Sequence, residues 1–385
     1  MRILHLTTFL QGGAGRIIAA LAIVQQRAGH EVVVVADDGR HAGYESYPEY
    51  IAQLAGAGVA FHTVTSTFAR DVALNVQAAR EVRSVLGAST IDVAHTHAAI
   101  PSLVAMLALN RRRAVPILQT MHGWGIQKTT EQAATDITIL GLTDAVVTPS
   151  AAARDTLCRL GLEPSHVRVI PYGLDAAPAN PAPDPRDRAL FERMRAEGSS
   201  IALCIGTIGE RKQQTLVVRA LPSVPAVAAV FIGDGDTVPL QALAEELGVA
   251  DRVHLLGYRT DASRYLPSAD VLVLPSKNEG LPIVVLESFR VGVPVVASAI
   301  PEISEAIEEG RTGFLFPPGD TAGLVAALTK ALVKERNASM RAQARQAFVA
   351  RYGAERMIAD YERLYTQLRS PSARSAAGAH GAGAG

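Results

Sequence analysis

Two glutamates eight residues apart, Glu279 and Glu287, mark the segment Asn278-Glu279-Gly280-Leu281-Pro282-Ile283-Val284-Val285-Leu286-Glu287. The segment before it, Val271-Leu272-Val273-Leu274-Pro275, is short, apolar and closed by proline, and reads as a buried parallel strand. Pro282 suits the first position of a helix, because its φ is fixed and its missing N–H is not needed there. Glu279 then falls in the strand-to-helix loop, and Glu287 about a turn and a half into the helix. In an open α/β sheet such a loop lies at the carboxyl ends of the strands, where ligands bind. Backbone N–H groups near Gly280 and Leu281 would face an anion, with one carboxylate on either side. Either glutamate alone could simply offset a helix dipole. The preceding strand and the intervening Gly-Leu-Pro favour a ligand, and the arrangement suits a sugar joined to a phosphate.

Other residues at expected strand ends could join this chemistry. Gly206-Thr207-Ile208-Gly209-Glu210-Arg211-Lys212 follows a strand and places two cations in its loop, unless they are only a solvated charge pair. Gly12-Gly13-Ala14-Gly15-Arg16 follows the first strand, and its glycines would let backbone N–H groups approach a ligand. Asp37, at the end of the second strand, would suit a dinucleotide fingerprint. The third glycine of that fingerprint falls on Ile18, which argues against a nicotinamide site. His122, in Thr120-Met121-His122-Gly123, is expected to point into a cleft, and His95 and His97 to line it. The latter two lack the further ligands of a metal site, so no metal is expected.

The 385 residues suffice for two domains with separate cores. Lys plus Arg equals Asp plus Glu at 37 each, which gives no reason to expect nucleic acid. Cys158 and Cys204 have no metal-type spacing and suggest buried thiols in a reducing compartment. The N-terminal residues are too interrupted for a signal peptide, and no apolar run is long enough to span a membrane. A soluble, cytoplasmic protein is expected. Arg111-Arg112-Arg113 reads first as a basic helix end, and otherwise as a peripheral contact with the inner face of the membrane.

Continuous apolar strands alternating with helices indicate parallel sheets covered on both faces. The expected divisions are an N-terminal Rossmann-like domain at 1–172, a linker rich in proline and alanine at 173–198, and a second Rossmann-like domain at 199–350. A helix at 351–369 and a disordered tail at 370–385 follow. Two doubly wound sheets facing across a cleft would place a small-molecule site between their carboxyl edges.

With these motifs the chain resembles a retaining GT-B glycosyltransferase of the glycosyltransferase family 4 type. The resemblance runs from Gly12 and Gly13 through Glu287 to the final helix, and is most specific in the E-x7-E element formed by Glu279 and Glu287. It implies that the second domain holds a nucleoside diphosphate sugar and the first an acceptor, without cofactor or essential metal. It implies that Glu287 bonds the ribose hydroxyls and that Glu279 contacts the transferred sugar near its reacting face. A carboxylate there would stabilise oxocarbenium-like charge. Lys212 keeps the family's diphosphate-binding lysine. Thr207 stands where arginine is usual, so Arg211 is the candidate for the second positive charge.

The same resemblance assigns His122 to the donor sugar and acceptor, and Gly12 and Gly13 to the donor phosphates across the cleft. Gly233, in Gly233-Asp234-Gly235, would turn beneath the nucleoside. Tyr258 and Arg259 belong to a loop that would bracket the base through backbone groups, and Gly280, Leu281 and Pro282 to the phosphate loop. Tyr172 replaces the family's common Asn near the hinge. Front-face departure, with the donor phosphate helping to deprotonate the acceptor, is the implied mechanism, and a covalent role for Glu279 stays open. The expected activity is transfer of a sugar, from a UDP-sugar in the first instance, to an acceptor hydroxyl (a sugar, glycan or lipid-linked sugar) in bacterial glycan, glycolipid or glycoside biosynthesis. The alternatives are a nucleotide-sugar epimerase or phosphorylase on the same fold, or a non-catalytic nucleotide-sugar-binding protein.

Overall fold

The computed structural model describes residues 1–39, 46–109, 115–125, 128–176 and 183–370. The chain forms two compact units, one of Met1–Tyr172 with the last described helix from Glu355, the other of Gly173–Ala354. The Arg111-Arg112-Arg113 run, the linker residues 177–182 and the tail residues 371–385 lie outside the described residues.

Valine-rich runs build the first sheet, because branched side chains pack well on a pleated surface buried on both faces. Its strands are β1 (Arg2–Leu6), β2 (Glu31–Asp37), β3 (Ala60–Val64), β4 (Val93–Thr96), β5 (Ile117–Thr120), β6 (Ala145–Thr148) and β7 (Val167–Val169). All are parallel in the order β3-β2-β1-β4-β5-β6-β7. The second unit holds β8 (Ser200–Ile205), β9 (Val227–Ile232), β10 (Val253–Gly257), β11 (Val271–Leu274), β12 (Val295–Ser298) and β13 (Gly313–Phe316). These too are parallel, in the order β10-β9-β8-β11-β12-β13. Strand order reverses between β1 and β4 in one sheet and between β8 and β11 in the other. Chains leaving those neighbours run to opposite faces and open a crevice at the carboxyl ends, so the two switch points are where ligands are expected. Each unit has its own core, around Leu4, Val35 and Val104 in the first and around Val217, Val230 and Leu272 in the second.

Several local expectations are corrected. The segment expected as an extended linker, 173–198, contains a helix at Pro185–Ala196. Asp184 accepts a hydrogen bond from the backbone N–H of Arg186, Pro185 starts the first turn, and Phe191 and Met194 are buried. A cap and an N1 proline thus outweigh the disfavour that the surrounding prolines and alanines suggest. The glycine turn after β1 is shorter than expected: the helix Gly12–Arg27 already includes Gly12, Gly13 and Gly15. Pro282 stands one place before the helix Ile283–Val291 rather than inside it, with φ −71° and ψ 120°.

The final helix spans Ala354–Arg369, whereas Arg351 ends the helix before it. It belongs with the first unit from Glu355 on. Tyr361 and Tyr365 bury their rings there, and Arg369 pairs with Asp92 at 2.6 Å. Among the described residues no helix is long and apolar enough to cross a membrane.

Candidate functional site

In the second unit, the loops leaving β8 and β11 are joined by charge. Lys212 Nζ lies 2.6 Å from Glu279 Oε1, and Arg211 Nη1 donates to Glu279 Oε2 at 3.2 Å and to the carbonyl of Asn278 at 3.1 Å. The backbone N–H of Lys277 also donates to the Arg211 carbonyl at 2.9 Å. The Glu279 side chain is 9% exposed and that of Lys212 14%, whereas Arg211 stands 48% exposed. Burial alone would push the Glu279 carboxyl pKa up. The charge of Lys212, then that of Arg211, outweighs this and holds it below the ordinary glutamate range. A carboxylate kept ionised in a secluded place, with two cations on it, is a site prepared for a second anion.

The helix Ile283–Val291 supplies the rest. Its N-terminus carries no side-chain cap and no acid in the first turn, and the Val285 N–H donates to the Pro282 carbonyl at 3.0 Å. Leu281 is buried just before it, and Glu287 lies within it, 5% exposed. Gly280 is half-buried beside Glu279. Backbone packing accounts for Gly233: a Cβ there would sit 2.1 Å from the carbonyl oxygen of Gly206. The loops after β8 and β9 therefore touch main chain to main chain. The N–H of Gly233 donates to Gly257 at 3.0 Å, which adds the loop of Tyr258 and Arg259. Tyr258 is exposed, while the Arg259 guanidinium is committed to Asp187 at 3.1 and 3.3 Å. The Arg259 side chain thus anchors the Pro185–Ala196 helix through Asp187.

The first unit holds a buried array of imidazoles at its own switch point. His5 on β1 is the register partner of His95 on β4, and His97 lies two residues on, so the pleat puts all three on one face. His5 Nδ1 lies 3.0 Å from His97 Nε2, and His97 Nδ1 lies 3.0 Å from His122 Nε2. Tyr172 Oη lies 2.7 Å from His122 Nδ1. At the other end, His5 Nε2 meets Gln25 Oε1 at 2.7 Å, and Gln25 Nε2 donates to Tyr365 Oη at 3.0 Å. His95 bonds Tyr365 Oη and Thr120 Oγ1, each at 2.7 Å. Burial lowers the pKa of His5 and of His122 to about 4, and burial with the neighbouring imidazoles takes His95 and His97 well below the ordinary value. These rings are neutral near pH 7.

His97 and His122 line a cavity of about 570 Å³, with Thr7, Phe68, Arg70 and Lys128 among its other walls. Arg70 and Lys128 both pair with the buried carboxylate of Asp136, at 2.8 and 2.7 Å. Gln11 and Ala14 line it on either side of Gly12 and Gly13, which are not themselves in the lining. The expectation for His95 is corrected: it is fully buried behind His97, because its two partners lie in the core. His5, His95 and His97 have ligand atoms within 4.8 Å of one another, so they are the described residues with metal-like spacing. Each of their ring nitrogens already has a protein hydrogen-bond partner, which a metal would have to displace.

Glu279, Lys212 and Arg211, singled out in the sequence, are thus brought together, and His122 reaches a cavity in the other unit. His5, Gln25, Asp136, Tyr361 and Tyr365 escaped sequence reasoning. The signal open to it was a polar residue inside an apolar element, as in Ile3-Leu4-His5-Leu6.

The family model described as Glycosyltransferase Family 4 matches residues 11–177, and that described as Glycosyl transferases group 1 matches residues 186–347. The chain is 25% identical to N-acetyl-alpha-D-glucosaminyl L-malate synthase of Bacillus anthracis, over 92% of this chain and 93% of that protein. It is 27% identical to D-inositol 3-phosphate glycosyltransferase of Mycobacteroides abscessus, over 77% of this chain and 66% of the relative, just under two thirds of that protein's length. In fold it is similar to Anabaena HepE in complex with UDP-glucose, with TM-score 0.81 at 18% identity, over 96% of this chain and 100% of that one. With paired Rossmann-like sheets, the Lys212–Glu279 site and these matches in hand, the chain belongs to the GT-B glycosyltransferases of the family 4 type, enzymes of the hexosyltransferase class.

Proposed function

We propose that this glycosyltransferase moves a sugar from a UDP-sugar to an acceptor hydroxyl with retention of anomeric configuration and without an essential metal. The observation that carries the reading is the secluded Lys212–Glu279 pair, flanked by Arg211, where the second sheet reverses its strand order. Similarity to a protein bound to UDP-glucose supports uridine as the base. On donor binding, Lys212 and Arg211 turn from Glu279 toward the diphosphate, and first-turn N–H groups of the helix Ile283–Val291 add partial positive charge. Glu287 takes the ribose hydroxyls.

As the bond from the anomeric carbon to the phosphate oxygen breaks, its electron pair passes to the diphosphate, whose charge Lys212 offsets. Glu279 faces the positive charge that grows on the sugar ring. The acceptor oxygen bonds the anomeric carbon on the departing side, and its proton goes to the leaving phosphate. His122 and the cavity of the first unit receive the acceptor. The setting is cytoplasmic, where Cys158 and Cys204 stay free thiols.

The test is to incubate the chain with UDP-, GDP- and ADP-sugars, with and without an acceptor pool, and to follow nucleotide release and product mass. UDP release that depends on acceptor, with a glycosylated product of retained configuration, is expected. Isomerised donor without acceptor would make the protein an epimerase. UDP binding without turnover on any acceptor would make it a binding protein.

A further inference from the structure

Four imidazoles of the first unit form part of one hydrogen-bonded line: Tyr172, His122, His97, His5, Gln25, Tyr365, His95, Thr120. A neutral imidazole has one N–H and one lone pair, so each ring in the line gives one bond and takes one. The direction of any link therefore fixes the direction of the next.

Gln25 decides it. Its Oε1 is an acceptor only, so His5 carries its proton on Nε2 and accepts on Nδ1. His97 must then donate from Nε2 to His5 and accept on Nδ1, and His122 must donate from Nε2 to His97. What remains for His122 is an acceptor at Nδ1, which takes the hydroxyl proton of Tyr172. On the other side Gln25 Nε2 donates to Tyr365, whose own proton goes to His95 Nδ1, and His95 Nε2–H goes to Thr120. With the Gln25 amide oriented this way each link has one donor and one acceptor, and reversing one ring alone would leave two donors or two acceptors facing each other in the core. That costs about 1–3 kcal/mol for each buried group left unmet.

We propose that Gln25 is a positioning residue, which acts through His5 and His97 to fix His122 as the Nε2–H tautomer with an acceptor lone pair at Nδ1. The claim rests on the reading of His122 as a residue of the transferase site only for its catalytic consequence. His122 lines the cavity, and in this tautomer Nδ1 is its one acceptor atom, so an acceptor hydroxyl that bonds this ring must take the place of Tyr172 there. The Nδ1–H tautomer would instead present a donor and could not accept that hydrogen bond. Burial that keeps the rings neutral also keeps the line intact, since a doubly protonated ring would have two donors and break it.

The experiment uses the full chain with ¹⁵N-labelled histidine at pH 8, reading the ring nitrogens by two-bond ¹H–¹⁵N correlation. Wild type should show pyrrole-like Nε2 and pyridine-like Nδ1 for His5, His97 and His122. Gln25→Met should move His122, which Gln25 does not touch, to a mixture of tautomers, and Gln25→Glu should restore the Nε2–H form because its carboxylate still accepts from His5. Tyr365→Phe, which frees the Gln25 amide to turn, serves as a second variant if Gln25→Met fails to fold, and should give the same mixture. In these variants kcat should fall in proportion to the fraction of His122 that has left the Nε2–H form, while the donor KM, set in the other unit, stays unchanged.

Protonated Nδ1 at His122 in wild type, or a His122 spectrum unmoved in a folded Gln25→Met or Tyr365→Phe protein, overturns the proposal. Tautomers that follow Gln25 with kcat unchanged would uphold the positioning and remove His122 from the reaction instead.

Discussion

Lys212→Met isolates the electrostatic logic of the site in the second unit. The methionine keeps the apolar stem but removes the ammonium that lies 2.6 Å from Glu279 Oε1. The carboxylate, 9% exposed, is then left with Arg211, which is half in solvent and 3.2 Å away. Removing one partner of a buried pair costs about 3–5 kcal/mol, and the remaining guanidinium brings the expected loss to roughly 2–3 kcal/mol. The pH dependence should change sign as well. In the wild type the Glu279 pKa is depressed, so its contribution to stability is present above the unfolded value and lost as pH falls through the folded one. In the variant, burial dominates and raises the folded pKa, so stability is gained as pH falls through the raised value.

Urea unfolding at pH 7.5 and pH 5 measures both effects. Lys212→Met should be markedly weaker than wild type at the higher pH and recover part of the gap at the lower. Adding Glu279→Gln should recover most of the loss at either pH. A Lys212→Met protein as stable as wild type, or a loss that Glu279→Gln leaves untouched, would refute the idea that the pair is secluded and coupled.

Three further outcomes follow from the geometry. Lys212→Ala should lower kcat by about a hundredfold while changing the affinity for UDP-sugar less than about tenfold, read by steady-state kinetics beside calorimetry, because the charge acts mainly on the leaving group. Equal losses in both would remove that role. Acid should destabilise the first unit: His5 and His122 stay neutral down to about pH 4 while their unfolded forms take up protons below about 6.5, so stability falls as pH drops through that window. The loss is on the order of 3 kcal/mol for each ring at the lower end, and a urea midpoint that holds steady from pH 7 to 4.5 would contradict it. Gly15→Ala should cost about 1–3 kcal/mol in a thermal melt, since its Cβ would stand 2.4 Å from the Leu10 carbonyl carbon. Gly12→Ala, with open space around it, should cost less despite its φ of +57°.

Most of the fold could be read directly. Parallel strands buried on both faces leave near-continuous apolar runs, so β11 stands at Val271–Leu274, where the apolar run before Glu279 reads as a strand. The loop carrying Glu279 was legible because it is local: a strand, Gly-Leu-Pro and a helix follow one another in sequence. Its partner Lys212 could be placed because β8 and β11 each open onto the switch point. The Pro185–Ala196 helix was hidden because composition speaks for linkers more loudly than a single Asp-Pro cap speaks for helices.

The histidine line was illegible for a different reason. His5 meets His95 through the parallel register of β1 and β4, and Gln25 and Tyr365 reach it from helices at opposite ends of the chain. No local pattern encodes contacts between residues 340 positions apart. The fully buried place of His95 has the same origin, since only the docked final helix supplies the Tyr365 hydroxyl that holds it.

A structure of the chain with a UDP-sugar bound tests the central claim most directly. Lys212 Nζ should have left Glu279 for a phosphate oxygen, with Arg211 beside it and the Glu287 carboxylate on the ribose hydroxyls. A nucleotide seated elsewhere, with the Lys212–Glu279 contact still at 2.6 Å, would contradict it.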